Sequence, residues 1–343
     1  MNKLLLFSVR GYIKLGLFFY FRRIHIHNIN FVPNNKPVLF LANHQNALLD
    51  ALLIAVNTRK FTYFLTRSGV FKSALVSRFL KSLKMLPVYR MRDGWSNLSN
   101  NTEIFKTCSK LFNDKEAIVI FPEGNHNLNR TVRPLSKGFT RIVFETLDNY
   151  PDSDLKLIPV GFNFLKAENF PDSVALFFGE QISAKEFLLE NRNDSIINLK
   201  IRIQSEISKL TTHIPTDNYD KSLQKLNDLK VDFLNPISVN NVIANNYEFY
   251  EDLKKKRFHF HYQFLKPLLI FLLVGPYVVW KFLIQPKIEE IEFISTFRFA
   301  LAITLVPLWI LILSLILAFT FDIITAISFI FIVLGVNLLV VKA

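Results

Sequence analysis

Two uncharged apolar runs, Phe299 to Phe321 and Ile323 to Val341, constrain this chain more than anything else in it. Each is long enough to cross a hydrocarbon core of roughly 30 Å, where a helix satisfies every backbone polar group. They read as a helical hairpin turning at Asp322. A third apolar run, 264 to 286, is broken by Lys266, Pro267, Pro276 and Lys281, so it spans, kinks or lies re-entrant. Residues 263–343 are therefore expected to be a membrane region of two to three hydrophobic helices. The basic cluster Lys254-Lys255-Lys256-Arg257 precedes it, while the 285–298 loop is acidic through Glu289, Glu290 and Glu292. By the positive-inside rule this places the N-terminal part in the cytoplasm, at the inner (cytoplasmic) membrane.

Composition points the same way. A net charge of +13 calls for an anionic partner, which could be nucleic acid, an anionic membrane face or a phosphorylated substrate. Half of the residues are hydrophobic, which favours the bilayer, and no basic-aromatic surface motif supports a nucleic acid partner. Cys108 stands alone, so no disulfide framework exists and the thiol reads as a small buried hydrophobe.

Ahead of the membrane region, residues 1–29 read as an amphipathic helix lying in the interface. Arg10 and Lys14 share one face, and Phe18, Phe19 and Tyr20 enter the acyl boundary. Between 38 and 178, short apolar runs (38–42, 61–65, 117–121, 157–162, 174–178) alternate with amphipathic stretches (47–57, 70–83, 98–113, 137–147). That alternation predicts an α/β domain over 30–184, a mixed sheet flanked by helices. Residues 185–262 turn polar and read as a helical arm or linker, with Ile196, Ile197, Ile203, Ile207 and Leu210 at helical spacing.

Chemistry concentrates at two strand ends. The run Val38 to Asp50 delivers His44 and then Asp50 to a helix start, where the carboxylate can bond Nδ1 and leave Nε2 as a general base. The competing explanation is a loop histidine beside a carboxylate that merely satisfies the helix dipole. Further on, Phe121-Pro122-Glu123-Gly124 places one carboxylate in a turn between a rigid and a permissive residue. His126 follows, then Arg130, Arg133, Lys137 and Arg141, a density of cations suited to holding a phosphate, with a solvated basic face as the lesser alternative. Arg67, Arg90 and Arg92 each come just after an apolar run. No metal site is expected, since the histidines lack tight spacing to other ligands.

These blocks resemble the glycerolipid acyltransferases over roughly residues 30 to 180. The first block is similar at His44 and Asp50, the second at Leu86 to Arg90 or Arg92, the third at Phe121 to Gly124, and the fourth at Leu157-Ile158-Pro159-Val160-Gly161. Two departures stand out. Five residues separate His44 from Asp50 where the commonest pattern has four, and Asn125-His126-Asn127 replaces the usual Thr-Arg-Ser. Both resemble a branch that includes fungal glycerol-phosphate and dihydroxyacetone-phosphate acyltransferases.

The resemblance implies the fold of that family and a membrane-bound enzyme that moves a fatty acyl group from a thioester, acyl-CoA or acyl carrier protein, to a hydroxyl of a glycerol phosphate or lysophospholipid. It implies no bound cofactor. His44 and Asp50 are its catalytic pair. Arg90, Arg92, Glu123, Gly124, His126, Arg133 and Lys137 form its substrate-binding set, with Arg133 and Lys137 as substitutes for the missing arginine. The alternative is a catalytically silent membrane scaffold that keeps the fold to bind lipid.

Overall fold

A computed structural model describes residues 3–71, 73–89, 100–248 and 262–342. Arg90 and Arg92, the basic cluster at 254–257, and His259 and His261 lie outside the described residues.

The chain enters through α1 (Lys3–Tyr20) and then forms β1 (Arg23–His27), β2 (Val38–Ala42), α2 (Ala47–Asn57), β3 (Tyr63–Arg67), α3 (Ala74–Ser82), β4 (Met85–Val88), α4 (Asn100–Asn113), β5 (Ala117–Ile120) and α5 (Gly138–Asn149). β6 (Lys156–Phe164), β7 (Ser173–Phe178) and the short β8 (Ile182–Ser183) follow. The strands build one mixed sheet in the order β1-β7-β6-β2-β5-β3-β4, with β8 beside β6. β2 pairs parallel to both β5 and β6, whereas β7 and β8 run antiparallel to β6. Buried on both faces, β2, β5, β6 and β7 read as near-continuous apolar runs, which is why the sequence located them.

The sheet begins earlier than residue 30. β1 pairs along its whole length with β7, from Arg23 against Ser173 to His27 against Phe177, inside the stretch expected to be interfacial helix. A five-residue strand of alternating Ile and His has too short a period-2 signal to stand out beside the apolar helix before it. Nor does α1 lie free. It packs against α2 and the C-terminal helices, with Leu17 and Tyr20 buried, and the Tyr20 ring sits 5.3 Å from that of Phe299. Arg10 is committed as well, donating to the carbonyls of Val56 and Thr58 at the end of α2.

The polar stretch after residue 185 is also built into the domain. α6 (Arg192–Leu210) lays Leu199, Ile203 and Ile207, all fully buried, against the sheet face covered by α4 and α5. Burial of each such side chain contributes roughly 1.5–3 kcal/mol. Ile197, counted in the same periodic set, is 52% exposed. α7 (Tyr219–Asp228) and α8 (Pro236–Ala244) close a small satellite core of Ile214, Leu226, Val231, Phe233, Val239 and Val242. An exposed polar face hides a helix of this kind from composition, because only one residue in three or four needs to be apolar.

Asp172 is buried beside β7, with Oδ1 accepting from Lys166 N and Oδ2 unpartnered, and burial pushes its carboxyl up to about 6. A folded-state value above the unfolded one means that the stabilisation is complete below the unfolded value near 4 and is lost as pH rises through 6. The shift corresponds to roughly 3 kcal/mol by 1.36 kcal/mol per unit. Asp172→Asn should therefore raise the melting temperature at pH 8 by several degrees and leave it nearly unchanged at pH 4, as read by thermal denaturation at both values.

Two helices in the C-terminal region are long and apolar enough to cross a membrane, α11 (Ile294–Thr320) and α12 (Ile323–Lys342). They pack as a hairpin about Asp322. Before them, α9 (Lys266–Leu272) and α10 (Val274–Val278), continued to Lys287, are bent by 99° at the break. Trp309 of α11 donates its Nε1–H to Leu272 O and holds that bend. Both ends of the hairpin return to the α/β domain. Phe299 enters the core beside Tyr20, and Lys342 Nζ donates to Phe21 O at 2.7 Å. The acidic stretch before α11 also lies against the domain, with Glu290 Oε2 3.6 Å from His126 Nε2.

Candidate active site

β2 and β5 are parallel neighbours, so the two polar turns leave the same edge of the sheet. In doubly wound sheets that carboxyl edge is where ligands bind. His44 follows β2 by two residues and Glu123 follows β5 by three, and both line one small cleft of about 190 Å³ with Asn43, Gln45, Asn127, Asn129, Thr131 and Thr211.

His44 Nδ1 lies 2.8 Å from Asp50 Oδ2. The same oxygen accepts from Gln45 N at 2.9 Å and Asn46 N at 2.8 Å, so one fully buried carboxylate fixes both the imidazole and the turn that carries it. That turn needs fixing, because Ala47 takes a positive φ of 39°, which costs a non-glycine residue energy. Of the five residues between His44 and Asp50, Gln45 and Asn46 form the turn and Ala47 to Leu49 open α2. Phe121 stacks on His44 at 3.9 Å with a 12° interplanar angle, which sets the plane of the ring. Nδ1 being engaged, Nε2 is the nitrogen left to take a proton.

Glu123 is 4% exposed at its side chain, and Arg133 Nε donates to its Oε2 at 2.6 Å. Burial pushes the Glu123 carboxyl up, while the guanidinium beside it and the nearby His44 pull it down. Arg133 also donates to Asn125 Oδ1 at 2.5 Å, so it is anchored to this turn rather than projecting as a loose phosphate clamp. Gly124 adopts φ +84°, the left-handed conformation its position required. Lys137 does not join the cleft. It is exposed and lines a separate cavity of about 500 Å³ with Asn193, Ile197 and Lys200 on α6, where a helix start turns it away.

His126 does reach the site, its ring 5.6 Å from that of His44 and 4.6 Å from that of Phe293. Several partners carried no sequence signal. Asn43 continues β2 with its side chain, Oδ1 accepting from Phe162 N at 2.7 Å and Nδ2 donating to Phe162 O and Thr211 Oγ1. Thr131, Thr211, Glu290 and Phe293 come from distant segments, and only the fold assembles them. An asparagine directly after a buried strand could have flagged Asn43, since such a side chain imitates the next backbone group.

Residues 23–163 match the acyltransferase family model. This stretch of the chain resembles the acyltransferases. It is 28% identical over 103 residues to an uncharacterized acyltransferase of Schizosaccharomyces pombe, and 26% identical over 100 residues to glycerol-3-phosphate O-acyltransferase 1 of Saccharomyces cerevisiae. Those matches cover 29% and 27% of this chain, but only 15% and 13% of the relatives. Among solved structures, a 1-acyl-sn-glycerophosphate (LPA) acyltransferase from Thermotoga maritima aligns at 16% identity and a TM-score of 0.45, over 61% of this chain and 80% of that one.

Removing the Arg133 guanidinium from Glu123 leaves only the nearby His44 to oppose burial, so the carboxyl should move further up. For Arg133→Ala the acid limb of the pH profile of kcat/KM is expected to shift to higher pH. Losing charge-assisted bonds worth roughly 1.5–3 kcal/mol should also lower kcat/KM on the order of ten- to a hundredfold. Steady-state kinetics between pH 5 and 9 check both, with Arg133→Lys as the charge-retaining comparison; an unshifted acid limb would refute the coupling.

Proposed function

We propose that this protein is a membrane-anchored O-acyltransferase that moves a fatty acyl group from a thioester to a hydroxyl of a glycerol phosphate or lysophospholipid. The observation that carries the reading is the His44–Asp50 pair, locked by Phe121 and placed on the same sheet edge as Glu123. His44 Nε2 accepts the proton of the acceptor hydroxyl, and the alkoxide attacks the thioester carbonyl. The tetrahedral oxyanion collapses, the carbon–sulfur bond breaks, and the departing thiolate takes the proton back from His44. Asp50 holds the tautomer and stabilises the imidazolium formed on the way. Among the described residues no serine or cysteine lines the cleft, which favours direct transfer over an acyl-enzyme.

Glu123, with Gly124 and Arg133 around it, positions the acceptor. The hairpin of α11 and α12 holds the domain at the membrane, where acyl chains reside, and the domain faces the cytoplasm. The start of α11 packs beside the turn that carries His44, since Thr296 Oγ1 accepts from Leu48 N at the first turn of α2.

The test is the full chain in detergent micelles with radiolabelled palmitoyl-CoA or palmitoyl carrier protein, offered glycerol 3-phosphate or lysophosphatidate. Acylated product that depends on His44 supports the reading. Lipid binding without turnover for any donor and acceptor pair overturns it in favour of the silent scaffold.

A further inference from the structure

We infer that His126, Glu290 and Glu292 form a site for a divalent transition-metal ion at the edge of the cleft. His126 comes from the turn after β5, and the two glutamates from the stretch just before α11. One ligand atom from each residue lies within 4.8 Å of the others. His126 Nε2 and Glu290 Oε2 are 3.6 Å apart, too far for a good N–H···O bond. That separation suits two ligands on one ion, since donors at about 2.0–2.2 Å in a tetrahedral shell lie roughly 3.4 Å from each other.

The imidazole is held before any ion arrives. Phe293 packs edge-on against it at 4.6 Å and 81°, and the His44 ring lies 5.6 Å away at 69°. The carboxylates remain accessible, Glu290 being 62% exposed at its side chain, so an ion can enter from solvent. Two carboxylates converging on one point repel each other, and a dication removes that cost. One nitrogen and two oxygens make a mixed donor set, which selects zinc or a similar first-row ion over magnesium or calcium, both of which prefer all-oxygen shells. A bound ion would tie the stretch before α11 to the catalytic turn, closing a cross-link between segments far apart in the chain.

The experiment uses the untagged full chain in detergent, stripped with a chelator and titrated with zinc and with cobalt(II), whose visible absorption reports a tetrahedral shell. About one ion per chain is expected, together with a zinc-dependent rise in melting temperature. His126→Ala and the double variant Glu290→Gln/Glu292→Gln should weaken binding by at least about a hundredfold, because even groups outside the coordination shell cost ten- to a hundredfold when lost. They should also abolish the thermal shift, while Glu289→Gln leaves both unchanged. Equal binding by the wild type and the double variant, or no stoichiometric zinc binding by a wild type whose circular dichroism shows it folded, overturns the assignment.

Discussion

His44→Ala is expected to lower turnover by roughly a hundred- to ten-thousand-fold, the range a positioned general base contributes. The substitution removes the ring that Phe121 stacks on but leaves the backbone of the turn bonded to Asp50 through Gln45 N and Asn46 N, so the domain should stay folded. Asp50→Asn acts differently. An amide can still accept from one or two donors, but its NH₂ cannot accept the Nδ1 proton of His44, so the tautomer is no longer held. Activity should fall by a factor approaching that of His44→Ala, with some loss of stability, because Asp50 is buried with three donors on Oδ2. Transfer rates are measured alongside circular dichroism. Turnover within tenfold of wild type for a folded His44→Ala protein would sink the mechanism.

Gly161→Ala should be the most damaging conservative change in the domain. Gly161 sits in β6 opposite Phe177, and a Cβ there would fall on the carbonyl of Leu210 at the end of α6. Backbone cannot swing aside as a side chain can, so α6 must shift. That shift would break the 2.9 Å bond from Asn163 Nδ2 to Leu210 O and drag Thr211 off Phe162 O and Asn43. We expect about 3 kcal/mol or more of destabilisation, at the upper end of overpacking costs. This is a fall in melting temperature of about 10 °C for a domain of this size. Activity should suffer as well, since Asn43 precedes His44. Gly179→Ala is the control. Its Cβ would meet the flexible end of Leu210 at 3.0 Å and the Pro159 carbonyl no closer than 3.3 Å, and so should cost less. Thermal melts of the two variants decide, and a Gly161→Ala protein as stable as wild type would show that the α6 contact is loose.

The effect at Gly161 also shows where reading the sequence stopped short. The fourth block, Leu157 to Gly161, was legible as a buried strand with a glycine, but its partner was taken for part of an arm. α6 buries only Leu199, Ile203 and Ile207 among its apolar residues, with Ser195, while its other faces carry Lys, Arg, Glu and Asn, and so its mean composition resembles a linker.

At the cleft the division follows chain distance. His44 and Asp50 are six positions apart, and a strand, a turn and a helix start suffice to join them. Their pairing could be deduced without a fold. Glu123 and Gly124 were legible for the same reason, since the requirement for a left-handed residue is local. Arg133 was read from the sequence as a phosphate-binding cation, and its pairing with Glu123 was not foreseen. A count of cations cannot say which one a buried carboxylate will claim, and Glu123 claims it at 2.6 Å. Lys137, a few residues on, starts a helix and leaves the cleft altogether.

By itself the sequence determined the α/β class, the apolar hairpin around Asp322, the pairing of His44 with Asp50 and the glycine turn, because each rests on periodicity or on groups within one turn of the chain. Only the tertiary structure decided that β1 extends the sheet, that α6 backs β6, and that Glu290, Glu292 and Phe293 reach His126 from the far end of the chain. The physical reason is common to all three. They depend on which surfaces are buried against one another, and burial is a property of the assembled layers rather than of any stretch of residues.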